Sequence, residues 1–248
     1  MNFTILRFDS LASTNDEAIR QAKLGAPEGL CIVARRQTAG RGRRERNWYS
    51  PADAGLYFSL VLRPGFEIRK FPLITLAAAV AISDCVLESC NLKTDIKWAN
   101  DIHANGKKLS GILAETVETA NKQAVILGIG INLRKEAIAP ELSDIATSIE
   151  NETGIAPDVE NLLGVLTNKL KKYYYILEDS GGSEQIIEAW SARSSYAFGK
   201  LVRVTLENES FVGTTRGLEA DGALRVGTES GLMKIVHAGD VVSLRRGI

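Results

Sequence analysis

The sequence predicts an α+β fold: a mixed β-sheet domain flanked by helices over residues 1–198, then a small β-barrel over residues 199–248. Three observations carry that expectation. Strand-like and helix-like runs alternate through the first 135 residues, and an amphipathic helical stretch follows. After Gly199 the texture changes to short alternating runs parted by glycine-rich turns. A chain of 248 residues with 45% apolar content can pack one large and one small unit without a disulfide or metal staple.

Thr4 to Phe8 reads as a short strand. Ser13-Thr14-Asn15-Asp16-Glu17 is a helix-start signal, since Ser13 or Thr14 can cap with Asp16 or Glu17 three residues on, ahead of Ala18, Ile19 and Ala22. Leu30 to Ala34 and Gly55 to Leu62 read as strands, the second setting Tyr, Phe and Val between Gly and Pro breakers. Pro72 to Leu87 is an alanine-rich helix expected to be buried. The longest charge-free apolar run, Phe71 to Ile82, falls short of the roughly 20 residues that span a bilayer. Asp95 to Trp98, Lys108 to Thr116 and Gln123 to Asn132 add three strands, parted by turns such as Ala104-Asn105-Gly106. From Asp158 to Leu177 a helix carries Leu162, Leu163, Leu166, Leu170, Tyr173, Tyr174 and Leu177 at helical spacing, which marks them as core. Gly181-Gly182 ends it, and Ser183 to Ala192 forms a short helix. Five short strands close the chain: Val202 to Leu206, Ser210 to Gly217, Ala223 to Val226, Leu232 to Val236 and Val241 to Leu244.

Composition narrows the function classes. Thirty Lys plus Arg balance thirty Asp plus Glu, whereas dedicated nucleic-acid or membrane-surface proteins carry a lopsided charge. Cys31, Cys85 and Cys90 include no CxxC pair, and His103 and His237 stand far apart. Neither structural zinc nor a secreted disulfide framework is expected, and the thiols read as small buried hydrophobes. Arg7 and Asp9 interrupt the stretch a signal peptide would need, so a cytoplasmic location is expected, without a membrane partner.

Three segments carry chemistry. From Thr38 to Trp48 runs Thr-Ala-Gly-Arg-Gly-Arg-Arg-Glu-Arg-Asn-Trp, and between Arg35 and Arg46 stand six arginines and one acidic residue. Gly40 and Gly42 let backbone N–H groups approach an anion, and the guanidiniums can fork onto phosphate or carboxylate oxygens. The segment lacks GxxxxGK[ST] and is not a Walker loop. Its bland alternative is a solvated basic loop or a general RNA-binding patch. In the second segment, Lys97-Trp98-Ala99-Asn100-Asp101 reads as a strand end and turn, and Lys108 opens a strand whose Gly111 allows close approach. A lysine there can offer charge to a reacting carboxylate or phosphate, although a lone lysine is ordinarily a snorkelling surface residue. The third segment, Gly128-Ile129-Gly130-Ile131-Asn132, sets two glycines on one strand face. That face can accept a ring or a closely crossing helix.

Together these segments resemble the biotin protein ligases. Ser13-Thr14-Asn15 matches the family's STN, and Gln37 to Trp48 its QxxGRGRxxRxW loop. Lys97 to Asp101 answers to KWPND, with Ala99 in place of the proline. Lys108 to Leu113 answers to KLxGIL and Gly128 to Asn132 to GxGIN. The motifs run in family order over nearly the whole chain. The resemblance implies a catalytic biotin/ATP-binding domain (1–198) and an SH3-like barrel (199–248). It also implies ATP and magnesium, a biotin carboxyl carrier protein of acetyl-CoA carboxylase as acceptor, and dimers that pair edge strands. Only twelve residues precede Ser13. They leave no room for the DNA-binding winged helix of some bacterial members, so no specific DNA binding is expected.

By the same resemblance Lys108 bridges the biotin carboxylate and the α-phosphate, with Arg43 and Asp101 as its catalytic companions. Asp101 either holds the metal or orients Lys108. Ser13, Thr14, Asn15 and Gln37 surround the biotin ureido group, and Gly40, Arg41, Gly42, Arg43, Lys108, Gly111, Leu113 and Gly130 complete the biotin site. Arg41, Arg43, Arg46, Trp48, Asn100, Lys108, Asn132 and Arg245 serve ATP, with Trp48 over the adenine. A loop so rich in arginine repels itself, which predicts mobility until an anionic ligand arrives. The rivals are a lipoate–protein ligase with the same acyl-adenylate logic, an RNA-binding module and a transcriptional repressor. Polar residues at 13, 14 and 37 favour a ureido ring over a dithiolane. Phe211 is the only aromatic residue after Phe198, which disfavours base stacking on the barrel.

Overall fold

In the computed structural model, which describes residues 1–120 and 123–244, a seven-stranded mixed sheet carries the larger unit. Strand β1 (Thr4–Leu11), helix α1 (Thr14–Lys23) and strand β2 (Leu30–Gln37) form a parallel unit. Ser13 caps α1 by accepting the Asp16 N–H, as the sequence predicts. Strand β3 (Gly55–Leu62) pairs antiparallel with β2 and is buried at all eight positions, as befits a central strand covered on both faces.

Helix α2 (Pro72–Cys90) follows, with Pro72 in its first turn and Asn91 closing it in the left-handed region. Together with the 3₁₀ turn before it, this helix is long and apolar enough to cross a bilayer by length and composition. The helical continuation past Ile82 accounts for the difference from the sequence reading. Here its apolar side chains fill the core between the sheet and a later helix. Strands β4 (Asp95–Lys97), β5 (Asp101–Ala104), β6 (Lys107–Val117) and β7 (Ala124–Asn132) complete the sheet in the order β1-β2-β3-β7-β6-β5-β4. Strand β5 corrects the sequence reading, which took Asn100-Asp101 as a turn and assigned no strand between it and Lys108. Four residues between two turns are too few to display an alternating pattern.

Helices α3 (Ile149–Thr153), α4 (Val159–Glu178) and α5 (Gly182–Ser191) precede the small unit. Alternation divides the strands between two cores. Ile32, Val61 and Ile126 face Ala18 and Ala22 of α1, while Val33, Leu60 and Leu127 face α2 and α4. Burial pushes the Cys31 and Cys85 thiols up to about 12, consistent with packing rather than chemistry.

The small unit is a five-stranded antiparallel sheet: β8 (Phe198–Thr205), β9 (Ser210–Leu218), β10 (Leu224–Thr228), β11 (Met233–Val236) and β12 (Asp240–Ser243), ordered β11-β10-β9-β8-β12. The larger unit holds it through Trp98 and the arginines that pair with Asp240, and the segment just before β8 packs on β4. Trp98 Nε1 donates to the Gly222 carbonyl at 3.0 Å. The Ile96 N–H donates to the Arg193 carbonyl at 3.0 Å, and Asp95 accepts from the Ser195 N–H at 2.7 Å, so residues 193–195 cover the outer edge of β4.

Candidate active site

A cleft of about 710 Å³ opens between the large sheet, the arginine loop, residues 137–146 and the Asp240 end of β12. Its polar end is built by α1 and β3. Ser13, Thr14 and Asn15 are only 3–4% exposed. The N–H and hydroxyl of Thr14 donate to Gln37 Oε1 at 2.8 and 3.1 Å, and Gln37 Nε2 donates to Ser50 Oγ at 2.9 Å. Ser59, buried mid-strand on β3, faces both Thr14 Oγ1 (2.8 Å) and Asn15 Oδ1 (2.6 Å). Asn15 Nδ2 donates to Glu115 Oε2 at 2.8 Å.

The arginine loop is drawn into a tight turn. The Gly42 N–H donates to the Arg46 carbonyl, the Trp48 N–H to the Gly40 carbonyl, and Arg44 and Glu45 take left-handed φ values of 53° and 58°. Like charges within the turn are balanced from outside it. Arg41 reaches Asp16 and Glu115, each at 2.7 Å, and Arg43 donates to Asn100 Oδ1 at 2.9 Å. Arg44 and Arg46 both pair with Asp240 of β12. Burial opposes the Arg41 charge, but its two carboxylate partners outweigh that and raise its pKa. Arg43 is lowered by burial, which exceeds the support of Asp101 and Asp240.

Lys108 stands where the loop, β5 and β6 meet. Its Nζ lies 2.7 Å from Asp101 Oδ1 and 5.4 Å from the centroid of the Trp48 ring. Backbone bonds with Ile145 and Thr147 hold its main chain. Beside it, Lys97 and His103 line the cleft, and burial lowers the pKa of each; nearby positive charges add to that, and Asp101 opposes it. The glycine floor is already covered by the chain itself. A Cβ on Gly130 would lie 2.5 Å from the Trp48 indole and one on Gly111 3.0 Å from it, while one on Gly128 would lie 2.1 Å from Asn15 Oδ1. The flat face predicted for a ligand ring therefore carries Trp48, and the ring's far side is left to border the cleft. Asn132 Nδ2 is engaged by the Thr147 carbonyl at 3.0 Å, and Asn100 Nδ2 by the Ile112 carbonyl at 2.8 Å.

Residues 7–132 match the Biotin/lipoate A/B protein ligase family, and residues 197–243 match the Biotin protein ligase C terminal domain. Over 243 residues the chain is 37% identical to the bifunctional ligase/repressor BirA of Bacillus subtilis (strain 168), covering 94% of this chain and 72% of that one. The chain belongs to the biotin protein ligase family. The biotin--[acetyl-CoA-carboxylase] ligase of Mycobacterium tuberculosis is 34% identical to it over 240 residues, 94% of this chain and 86% of that one. A biotin protein ligase from Aquifex aeolicus, solved in complex with biotin and ATP, superposes with a TM-score of 0.84 at 28% identity, covering 98% and 99% of the two chains.

In this ligase Ser13, Thr14, Asn15, Gln37, Arg41, Gly42, Arg43, Arg46, Trp48, Asn100, Asp101, Lys108, Gly111, Leu113, Gly130 and Asn132 all line the one cleft. Gly40 does not; a Cβ there would meet the Trp48 carbonyl at 2.4 Å. Arg245 lies outside the described residues. Sequence reasoning missed Ser59, Glu115, Lys97, His103 and Asp240. Ser59 left a visible signal, a hydroxyl in an otherwise apolar strand, and Lys97 stood inside a quoted motif without being given a role. Among the described residues no cluster of three or more His, Cys, Asp or Glu is arranged for a metal. Asp101 stands beside Lys108, and Asp95, Asp144 and Asp240 also line the cleft, a donor set that suits magnesium carried in on phosphates better than an all-protein cage. Gly130→Ala is expected to push the indole off the floor, an overpacking strain of about 1–3 kcal/mol. The KM for ATP should rise; a wild-type KM would separate Trp48 from the nucleotide.

Proposed function

We propose that this ligase activates biotin with ATP and transfers the biotinyl group to a lysine of a biotin carboxyl carrier protein or domain of acetyl-CoA carboxylase. One observation carries the reading: Lys108, steadied by Asp101, stands between a polar pocket suited to a ureido ring and a turn of arginines suited to phosphates. A biotin carboxylate oxygen attacks the α-phosphorus, the bond to the β-phosphate oxygen breaks, and pyrophosphate leaves with biotinyl-5′-AMP formed. The acceptor amine then attacks the acyl carbon, AMP departs, and the amine loses a proton. Both reactants of the first step are anions, so fixed positive charge is the main requirement. Lys108 bridges carboxylate and α-phosphate, Arg41, Arg43 and Arg46 face the phosphates, and Trp48 borders the adenine. Thr14, Asn15 and Gln37 form the ureido pocket, with Ser13 beside them. Magnesium would supply neutralisation of phosphate charge, and Asp101, the carboxylate beside Lys108, would either hold it or orient Lys108.

Residues 1–198 form the catalytic domain and residues 199–248 a C-terminal domain that contributes Asp240 to the cleft. The proposed setting is cytoplasmic. A lipoate ligase would use the same chemistry, but a dithiolane leaves the donors and acceptors of Thr14 and Gln37 unmatched. Exchange of labelled pyrophosphate into ATP tests this directly. Biotin is expected to support exchange and lipoate to fail, with label then passing to a carrier domain. Exchange driven by lipoate instead would reverse the assignment.

A further inference from the structure

Glu115 projects from β6 behind the cleft wall, outside the set of residues that line it. Its two carboxylate oxygens are divided between two parts of the site. Oε1 accepts from Arg41 Nη2 at 2.7 Å, and Oε2 accepts from Asn15 Nδ2 at 2.8 Å. Arg41 belongs to the first stem of the arginine loop, and Asn15 to the polar pocket. We propose that Glu115 is a positioning residue that makes recognition of the biotin head group and retention of the adenylate a single event. The inference rests on the biotin reading above.

The argument follows the direction of the hydrogen bonds. An ionised carboxylate only accepts, so Asn15 must turn its NH₂ toward Glu115 and its Oδ1 toward Ser59. Ser59 has one hydroxyl proton and two acceptors in reach, Asn15 Oδ1 and Thr14 Oγ1. With that proton directed to Asn15, the nearer of the two, the Thr14 hydroxyl turns its own proton to Ser59 Oγ at 2.8 Å in preference to Gln37 at 3.1 Å, and Thr14 Oγ1 keeps a lone pair. That lone pair suits an N–H donor, which a ureido ring has and a dithiolane lacks. From Gln37 the relay continues to Ser50 Oγ, and Ser50 donates to the Trp48 carbonyl at 2.9 Å. The chain of bonds therefore begins at one loop stem, crosses the head-group pocket and ends at the other stem. Its polarity is set at Glu115 as far as Thr14, and beyond that the Thr14 backbone N–H fixes the turn of Gln37.

Glu115→Gln is nearly isosteric but must turn an N–H toward either Arg41 or Asn15, so one partner is lost. Two quantities are measured: biotin affinity without ATP, by titration calorimetry, and the release rate of preformed biotinyl-5′-AMP. Both are expected to worsen at least about tenfold, the scale of losing a charge-assisted hydrogen bond. Asp16→Asn removes the other carboxylate on Arg41 without touching Asn15. It is expected to leave biotin affinity within about twofold of wild type, as for an exposed ion pair. An Arg41→Gln/Glu115→Gln double variant is expected to release adenylate no faster than Arg41→Gln alone, because both act through one path. Wild-type biotin affinity in folded Glu115→Gln, or strictly additive release rates, overturns the proposal. So does a lowered melting temperature with both ligand measurements unchanged. Should Glu115→Gln not fold, Ser59→Ala tests the same relay from its middle, and wild-type biotin affinity there overturns it equally. If the wild-type protein binds no biotin, the functional reading fails instead.

Discussion

Lys108→Ala is expected to slow adenylate formation at least about a hundredfold, the scale of removing one donor aimed at developing charge. The geometry adds a second penalty. With the ammonium gone, Asp101 keeps its negative charge 2.7 Å from where Nζ stood, in a cleft that must bring two more anions together. Biotin binding should weaken far less, because the head-group pocket is built by α1, β2 and β3 and does not include this lysine. The measurement is biotin-dependent pyrophosphate release alongside a biotin titration. A variant that releases pyrophosphate at the wild-type rate would remove Lys108 from its role.

Arg43→Gly is expected to make adenylate still but to lose hold of it. Arg43 is the most enclosed arginine of the turn and donates to Asn100 at 2.9 Å. Arg43, Asn100 and Ile112 also border a second cavity of about 210 Å³ between α2 and the Asp221–Ala223 turn. Deleting the guanidinium frees the loop and thins the wall between the two spaces. A mixed anhydride reacts readily with water and with any amine, so enclosure protects it until the acceptor docks. Labelling of a non-cognate protein in the same tube should rise at least about tenfold over wild type. Biotin should also slow protease cleavage between Arg43 and Arg46 in the wild-type chain. Cleavage indifferent to ligand would mean a rigid loop. A variant that consumes ATP yet never labels bystanders would place adenylate retention in other residues.

Much of the scaffold was legible because its signals are local. Gly55 to Leu62 is a strand at the residues predicted, Ser13 caps α1 as its neighbours suggest, and α4 begins directly after Asp158, where the helical pattern starts. The short β5 and α3 were not legible, since four or five residues cannot establish a period. The arginine loop shows a deeper limit. Its self-repulsion is visible in the sequence, but the carboxylates that offset it come from α1, β6 and β12. Asp240 stands 194 positions from Arg46. Likewise the glycines of β7 announce a close approach without saying by what. Trp48 and Asn15 arrive from elsewhere in the chain.

The covering of β4 by residues 193–195 has a consequence for how copies of this chain can meet. A sheet open at both edges can add neighbours without end, as fibrils do. Here the Ile96–Arg193 backbone bond occupies one side, and among the described residues β1 is the remaining outer strand of the large sheet. Joining of one large sheet to another is thereby limited to β1 meeting β1 about a two-fold axis. Such a contact satisfies itself and closes, leaving no second edge for a third copy. The segment that hands the chain from one unit to the next thus also acts as a terminator of growth.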